Sequence, residues 1–238
     1  MTTVLRFEEI PLGKVRRATY GGVPHLEVQS EGVFSLSVAQ HETVAVVGDE
    51  TSGVDLLGGL ALGLDTAASG RVTALGVDLA TLDRRQAQLA FRRKLGYLPA
   101  GDGLMQNLTL RDNIRLPLRF GSDFKLKDIE ARVDLIVAQV RLKHVAHLRP
   151  AEANAEDNRR AALGRAIALD PELVILEEPF DGLTDRASAE LLETARGGEV
   201  AQGGRRTVLI TGQDLPALLR HRVERLIRLR RGHAEVPA

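Results

Sequence analysis

Short, uninterrupted apolar runs alternate along the chain with stretches in which apolar residues recur every three or four positions. Thr43-Val44-Ala45-Val46-Val47 is β-branched and continuous and stops at Gly48, which predicts a buried strand entering a turn. Leu56 to Leu64 predicts an apolar helix, with Ala67-Ala68-Ser69-Gly70 as its exit. Between Leu110 and Leu148 the pattern is helical and charged, punctuated by Pro117 and by Gly121-Ser122-Asp123. Within it, Ile129, Val133, Ile136 and Val140 fall at spacings of three and four and predict one amphipathic face. Leu173 to Leu176 and Thr207 to Ile210 predict two further buried strands, and Arg225 to Gly232 an edge strand with a solvated basic face. This alternation is that of an α/β domain with a largely parallel sheet. No internal repeat or low-complexity linker interrupts it.

Composition narrows the class further. An apolar fraction of 44% and a charged fraction of 27% belong to a globular protein, and 238 residues fit one large domain or a core with a smaller lobe. Lysine plus arginine equals aspartate plus glutamate, at 32 each, so no overall field draws the chain to polyanions. Aromatics at 3% leave few stacking platforms, and nucleic acid is not an expected partner. The absence of cysteine excludes disulfides, thiolate zinc sites and cysteine nucleophiles. The first residues, Met1-Thr2-Thr3-Val4-Leu5-Arg6, carry no apolar signal core. No segment approaches the roughly 18–20 continuous apolar residues of a membrane span. The expected location is the cytosolic side, with any membrane function exerted through a partner.

Candidate chemistry starts at Gly48-Asp-Glu-Thr-Ser-Gly53-Val54-Asp55, which lies between a strand and a helix with the glycine spacing of a P-loop. Further landmarks follow in order. Ser69-Gly-Arg-Val-Thr-Ala-Leu-Gly76 comes first, then Leu95-Gly-Tyr97-Leu with Asn107-Leu-Thr-Leu-Arg-Asp-Asn113-Ile. Arg159-Arg-Ala-Ala-Leu-Gly-Arg165 then runs into Leu173-Val-Ile-Leu-Glu177-Glu178-Pro179-Phe180. From about residue 30 to residue 233 this series resembles the nucleotide-binding subunits of ABC transporters. The resemblance implies an α/β, ABC-type P-loop NTPase fold, with a RecA-like core, a small antiparallel β subdomain and a helical lobe. It implies one nucleotide-binding domain over residues 1–238, with the lobe at about 101–165. The partners it implies are a membrane permease and a second cassette, as homodimer or heterodimer, at the cytoplasmic face of the inner membrane. Two stretches, Asn113-Ile-Arg-Leu-Pro-Leu-Arg119 and Arg159 to Leu169, look most like the ATPase subunits of MCE-type phospholipid transporters, and that likeness implies an MCE protein as a further partner.

The resemblance fails at the residues that perform the chemistry. An active P-loop surrounds phosphate with backbone N–H groups and adds a lysine and a metal-binding hydroxyl. Here the lysine position is Val54 and the hydroxyl position Asp55, while Asp49 and Glu50 add two more carboxylates. The metal-ligating glutamine falls at Ala100, and the signature motif at Ala153-Asn154-Ala-Glu156-Asp157. Glu177 replaces the first Walker B aspartate as a potential metal ligand, and Glu178 keeps the general-base position. Thr184 stands at the D-loop aspartate and Gln213 at the switch histidine. Thr51 and Ser52 could hydrogen-bond a ligand or cap the following helix, and capping is the expectation. Asn154, three residues before Asp157, is expected to cap the helix that follows. Tyr20 is a candidate adenine-stacking aromatic.

Magnitudes turn these departures into an expectation. Moving from micromolar to millimolar affinity costs about 4 kcal/mol. Loss of the lysine's charge-assisted hydrogen bond removes roughly 1.5–3 kcal/mol. A carboxylate about 6 Å from a phosphate charge repels it by roughly 3 kcal/mol at an effective dielectric near 20. The sum exceeds the margin for binding at cellular ATP levels, so no cofactor is expected, and ATP and magnesium enter only if binding survives. The expected function is a pseudo-ATPase subunit of a lipid-transport complex. The alternative is an active ATPase in which Asp55 and Glu177 hold the metal and Glu178 is the base. A cation aimed at the phosphate site would favour that alternative, and Arg92, Arg93 and Lys94 are the candidates.

Overall fold

The computed structural model describes residues 2–16, 32–82, 85–198 and 204–235, and Tyr20 lies outside them. In chain order the strands and helices are β1 (Thr3–Pro11), β2 (Val15–Arg16), β3 (Val33–Ala39), β4 (Thr43–Gly48), α1 (Leu57–Ala61), β5 (Thr66–Ala67), β6 (Arg71–Ala74) and β7 (Val77–Asp78). They continue with α2 (Arg85–Arg92), β8 (Leu95–Leu98), α3 (Leu110–Gly121), α4 (Leu126–Gln139), α5 (Ala155–Ala166) and β9 (Leu173–Glu177). The last are α6 (Asp185–Arg196), β10 (Thr207–Gly212), β11 (Arg225–Arg230) and β12 (His233–Glu235). Two compact units result, one from residues 1–88 with 207–238 and the other from residues 89–206.

In the first unit, an antiparallel sheet of order β3-β1-β6-β7 accompanies strands of order β12-β11-β4-β10. β4 is flanked by parallel partners on both sides, with Leu209 opposite Val44 on β10 and Leu226 opposite Ala45 on β11. Its unbroken apolar run, Val44-Ala45-Val46-Val47, is that of a strand covered on both faces, which has no polar face to alternate with, and all four residues are at most 1% exposed. The antiparallel sheet contributes its own core, where Phe7 and Phe34 meet edge to face with centroids 5.5 Å apart.

Two expectations need correction in this unit. β11 is not an edge strand, because the chain reverses at Arg231 and Gly232, both at positive φ, and lays β12 along it antiparallel. The true edge is therefore three exposed residues with a terminal glutamate, too short to template further pairing. The helix expected over Leu56 to Leu64 is only α1, five residues preceded by a 3-10 turn at Val54–Leu56. Gly58 and Gly59 lie within it, and interior glycine costs a helix roughly 1 kcal/mol per residue. Past Ala61, the Leu64 and Asp65 N–H groups both turn back to the Gly59 carbonyl, closing the segment.

In the second unit β8 and β9 pair in parallel, Leu95 opposite Leu173 through Leu98 opposite Leu176. α3, α4 and α5 pack on one another, with α5 also against β8. The face predicted from spacing is the buried one: Ile129, Val133, Ile136 and Val140 are all at most 5% exposed. Pro117, expected as a break, instead lies inside α3, which continues to Gly121. The start of that helix is fixed strongly enough to carry it. Thr109 caps it by accepting from the Asp112 N–H (3.0 Å), and fully buried Asn113 accepts from the Met105 N–H (2.8 Å) while donating to the Met105 and Thr109 carbonyls. The break comes at 122–125, four residues before α4, which is tied to α3 by Arg111 and Arg115 reaching Glu130.

Candidate functional site: a P-loop that satisfies itself

β4 delivers Gly48 to the C-terminal end of the first unit's parallel strands. A Cβ there would lie 2.4 Å from Ser52 Oγ and 2.6 Å from the Leu229 carbonyl oxygen, so only glycine fits. The turn beyond it closes on Asp49. Thr51 donates both its N–H (2.9 Å) and its hydroxyl (2.7 Å) to Asp49 Oδ1. Ser52 donates its N–H (3.0 Å) and its hydroxyl (2.6 Å) to the Asp49 carbonyl. The Ser52 oxygen in turn accepts the Val54 N–H at 3.2 Å, and Gly53, at φ +85°, makes the turn between them. Three N–H groups of the loop, those of Thr51, Ser52 and Val54, are therefore directed at acceptors within the loop itself.

The Asp49 carboxyl is held below its usual range, first by the Thr51 hydroxyl, then by the Thr51 N–H, with Arg230 adding its charge. Val54 is 5% exposed, a packed apolar residue at the lysine position, while Asp55 faces solvent beside it. Thr51 and Ser52 do not cap the helix as expected; no side chain caps either the 3-10 turn or α1. Their hydroxyls donate back to Asp49, and the Ser52 oxygen accepts the Val54 N–H two residues on. Gln213 is exposed just past the end of β10, whose Gly212 pairs with Val47, so Gln213 and Gly48 share one end of these strands. Arg230, the cation that acts on Asp49, was not among the sequence candidates. The signal that could have found it is register: parallel β11 puts Leu229 opposite Gly48, one residue before Arg230.

In the second unit, register likewise gathers the remaining positions. Leu98 of β8 is opposite Leu176 of β9, so Ala100 and the Glu177-Glu178 pair follow neighbouring strand ends. Glu177 Oε2 accepts the Tyr97 hydroxyl at 2.6 Å, which orients this carboxylate. Glu178 sits at φ +44°, a strained backbone for a non-glycine residue. Ala100 begins a turn clamped from α5. Arg165 donates to the Asp102 and Gly103 carbonyls (2.7 and 2.6 Å), and Arg159 Nε lies 3.0 Å from the Asp102 carboxylate. Burial pushes the Asp102 carboxyl up against the pull of Arg159 and Arg165. Arg93 and Lys94, the cations considered for the phosphate site, pair within this unit with Asp123 and Glu172.

Asn154 caps α5 as expected, accepting the Asp157 N–H at 2.8 Å, and Thr184 caps α6 by accepting from Ala187. Both line a cavity of about 500 Å³ whose charged wall centres on Glu190. Arg141 (2.5 Å), Arg160 (2.8 Å) and Arg186 (3.0 Å) converge on that carboxylate, and Arg160 also holds Glu156 at 2.7 Å. The hydrogen bond from Arg160, supported by Arg186 and Arg141, lowers the Glu190 carboxyl to about 2. A depressed carboxyl stabilises the fold above its unfolded value and loses that contribution as pH falls towards the folded one. Stability should therefore fall between about pH 4.5 and pH 2. Glu190→Gln should cost roughly 1–3 kcal/mol at pH 7 and flatten that segment of the curve. Parallel denaturation profiles for the two proteins across this range would rule out the assignment.

Among the described residues, no cluster of three or more His, Asp or Glu side chains is placed to hold a metal ion, and no helix is long and apolar enough to cross a membrane. Nor do the P-loop residues fit a nucleotide phosphate well: the Thr51, Ser52 and Val54 N–H groups are engaged within the loop, and Asp49, Glu50 and Asp55 set three carboxylates against the charge of Arg230.

Comparison with known proteins adds the lineage. The family model described as ABC transporter matches residues 32–181. An uncharacterized ABC transporter ATP-binding protein, YvcR of Bacillus subtilis (strain 168), is 29% identical over 198 residues, 83% of this chain and 75% of the relative. The lipoprotein-releasing system ATP-binding protein LolD of Pseudomonas syringae pv. tomato is 29% identical, over 84% of this chain and 86% of its own. The Nod factor export ATP-binding protein I of Rhizobium meliloti (strain 1021) is 32% identical over 75% of this chain, but the match spans only 50% of that relative. Among solved structures, the dimeric ATP-binding cassette MJ0796 bound to ADP and phosphate superposes with a TM-score of 0.79 over 98% of both chains at 19% identity. At that identity the likeness is one of fold.

Proposed function

The chain belongs to the ABC transporter family, and from that premise we propose that it is a cassette that keeps the fold and has given up nucleotide chemistry. It is the ATP-binding-type subunit of a membrane transporter, and in this reading it works as a pseudo-ATPase, a docking or regulatory element. Residues 1–238 act as one cassette with a helical lobe at about 101–165. The observation that supports this most directly is the closed turn at Asp49, whose carboxylate and carbonyl take the Thr51 and Ser52 donors that a phosphate needs. Val54 and Asp55 remove the lysine and the metal hydroxyl beside it. The competing reading is a working ATPase with Asp55 and Glu177 on the metal, Glu177 being a carboxylate oriented by the Tyr97 hydroxyl.

The transported class is proposed to be lipid-linked, with an MCE-type phospholipid transporter as the specific case. Its support is the pair of stretches at Asn113–Arg119 and Arg159–Leu169, together with similarity to a relative named for lipoprotein release. The partners are a permease and a second cassette. If that cassette is an intact relative, its P-loop faces Ala153, Asn154 and the Arg160-bound Glu156 of this chain instead of a serine and glycine N–H groups, and closes weakly.

The test uses the assembled complex. Glu178→Gln in this chain should leave ATP turnover unchanged, whereas the matching change in an intact partner cassette should abolish it. Loss of turnover from Glu178→Gln alone would show that Glu178 is a working base.

A further inference from the structure

The pairing of charges along the α3–α4 hairpin stops at one end. Over most of its length the cations are matched: Arg111 with Glu130 and Asp134, and Arg115 with Asp112 and Glu130. At the connecting end, Arg119, Lys125 and Lys127 are exposed and form no ion pair among the described residues. Asp123 is matched by Arg93 at 3.4 Å, which leaves Asp128 as the remaining acid of the segment. The same ten residues hold three of the large apolar side chains that the fold leaves uncovered. Phe120 is 75% exposed, Phe124 55% and Leu126 68%. Phe120 is the penultimate residue of α3, Phe124 lies in the connection and Leu126 opens α4, so all three project from one end of a helical hairpin. The Arg119 guanidinium stands 5.8 Å from the Phe120 ring centroid.

We propose that this end of the hairpin, residues 119–127, is a membrane contact that seats Phe120, Phe124 and Leu126 among the headgroups of an anionic bilayer, with Arg119, Lys125 and Lys127 on the lipid phosphates. An apolar cluster left in water marks an interaction surface, and the occupant is read from its surroundings. A partner helix binds in a groove, where anchoring residues are half covered by the walls. Exposures of 55–75% describe side chains that stand proud of the surface, a shape that suits a planar interface. Cations alternating with aromatic and aliphatic side chains give each an appropriate depth: rings at the acyl boundary, and flexible basic stems reaching back to phosphate. The inference goes beyond the nucleotide chemistry, and ATP assays do not bear on it.

The full-length chain is sedimented with vesicles of phosphatidylcholine, or of phosphatidylcholine with about a third phosphatidylglycerol. Binding to the anionic vesicles is expected to exceed that to neutral ones at least tenfold at low salt, given roughly fivefold per cation near such a surface. Lys125→Glu with Lys127→Glu should weaken it by at least about twentyfold. Phe120→Ser with Phe124→Ser should weaken it roughly tenfold or more. All four positions are exposed, so the melting temperatures should be unchanged, which separates lost contact from lost fold. The chain has no tryptophan, so Phe124→Trp supplies a single reporter whose emission should shift to the blue on anionic vesicles alone. Absence of anionic-vesicle binding overturns the proposal, as does binding that survives loss of both phenylalanines. So does a protein that ignores vesicles but loses its transmembrane partner subunits on Phe120→Ser with Phe124→Ser, because the surface is then a protein dock.

Discussion

Titrated with Mg-ATP at physiological salt, the protein should give no saturable heat below the millimolar range, and phosphate release should not exceed background. Three contributions combine. Val54, packed at 5% exposure, removes a charge-assisted contact of roughly 1.5–3 kcal/mol. Asp49, Glu50 and Asp55 bring negative charge to the place where phosphates would arrive. The N–H groups of Thr51, Ser52 and Val54 must first leave acceptors that they already hold at 2.9–3.2 Å. Together these outweigh the roughly 4 kcal/mol that separates micromolar from millimolar binding. A micromolar dissociation constant by calorimetry would end the pseudo-ATPase reading.

Restoring the lysine and hydroxyl by Val54→Lys with Asp55→Ser should recover some nucleotide binding and little hydrolysis. Adding Asp49→Ala should tighten that binding by at least a further tenfold. One charge-assisted hydrogen bond is worth about that factor at its weak end, and the third change both removes a competing acceptor and lifts a negative charge. Hydrolysis should remain slow in the triple variant, because Ala100 and Gln213 still stand where the family's metal and γ-phosphate ligands would be. Calorimetry on the double and triple variants measures the Asp49 step directly. Equal affinities would mean that the closed turn does not govern access. Substantial turnover would mean that the remaining departures matter less than proposed.

The sequence carried the fold because its signals are local and repeated. An unbroken apolar run such as Val44 to Val47 has one comfortable environment, and the 3–4 spacing from Ile129 to Val140 has one buried face. The shortness of α1 is hidden in the sequence because apolarity over Leu56 to Leu64 masks the cost of Gly58 and Gly59. The partner that takes β11 off the sheet edge is hidden too, because a three-residue strand such as His233–Glu235 leaves almost no pattern. At the candidate site, the departures from Val54 to Gln213 are assigned through the resemblance to ABC cassettes, position by position. What fills their places cannot be assigned in that way. The Thr51–Asp49 contact is a choice among hydroxyl rotamers, Tyr97–Glu177 joins residues eighty apart, and Arg230 reaches Asp49 only through strand register.

The turn that closes on Asp49 also bears on how the protein lives in a cell. A cassette that binds ATP about a hundred times more tightly than the prevailing concentration borrows roughly 2.7 kcal/mol of its folded stability from the nucleotide pool. Its abundance then follows the energy state of its host. This chain supplies from its own residues the acceptors that such a relative takes from a ligand. Starvation that empties the ATP pool should leave its folded population, and hence the number of complexes it can hold together, where it was.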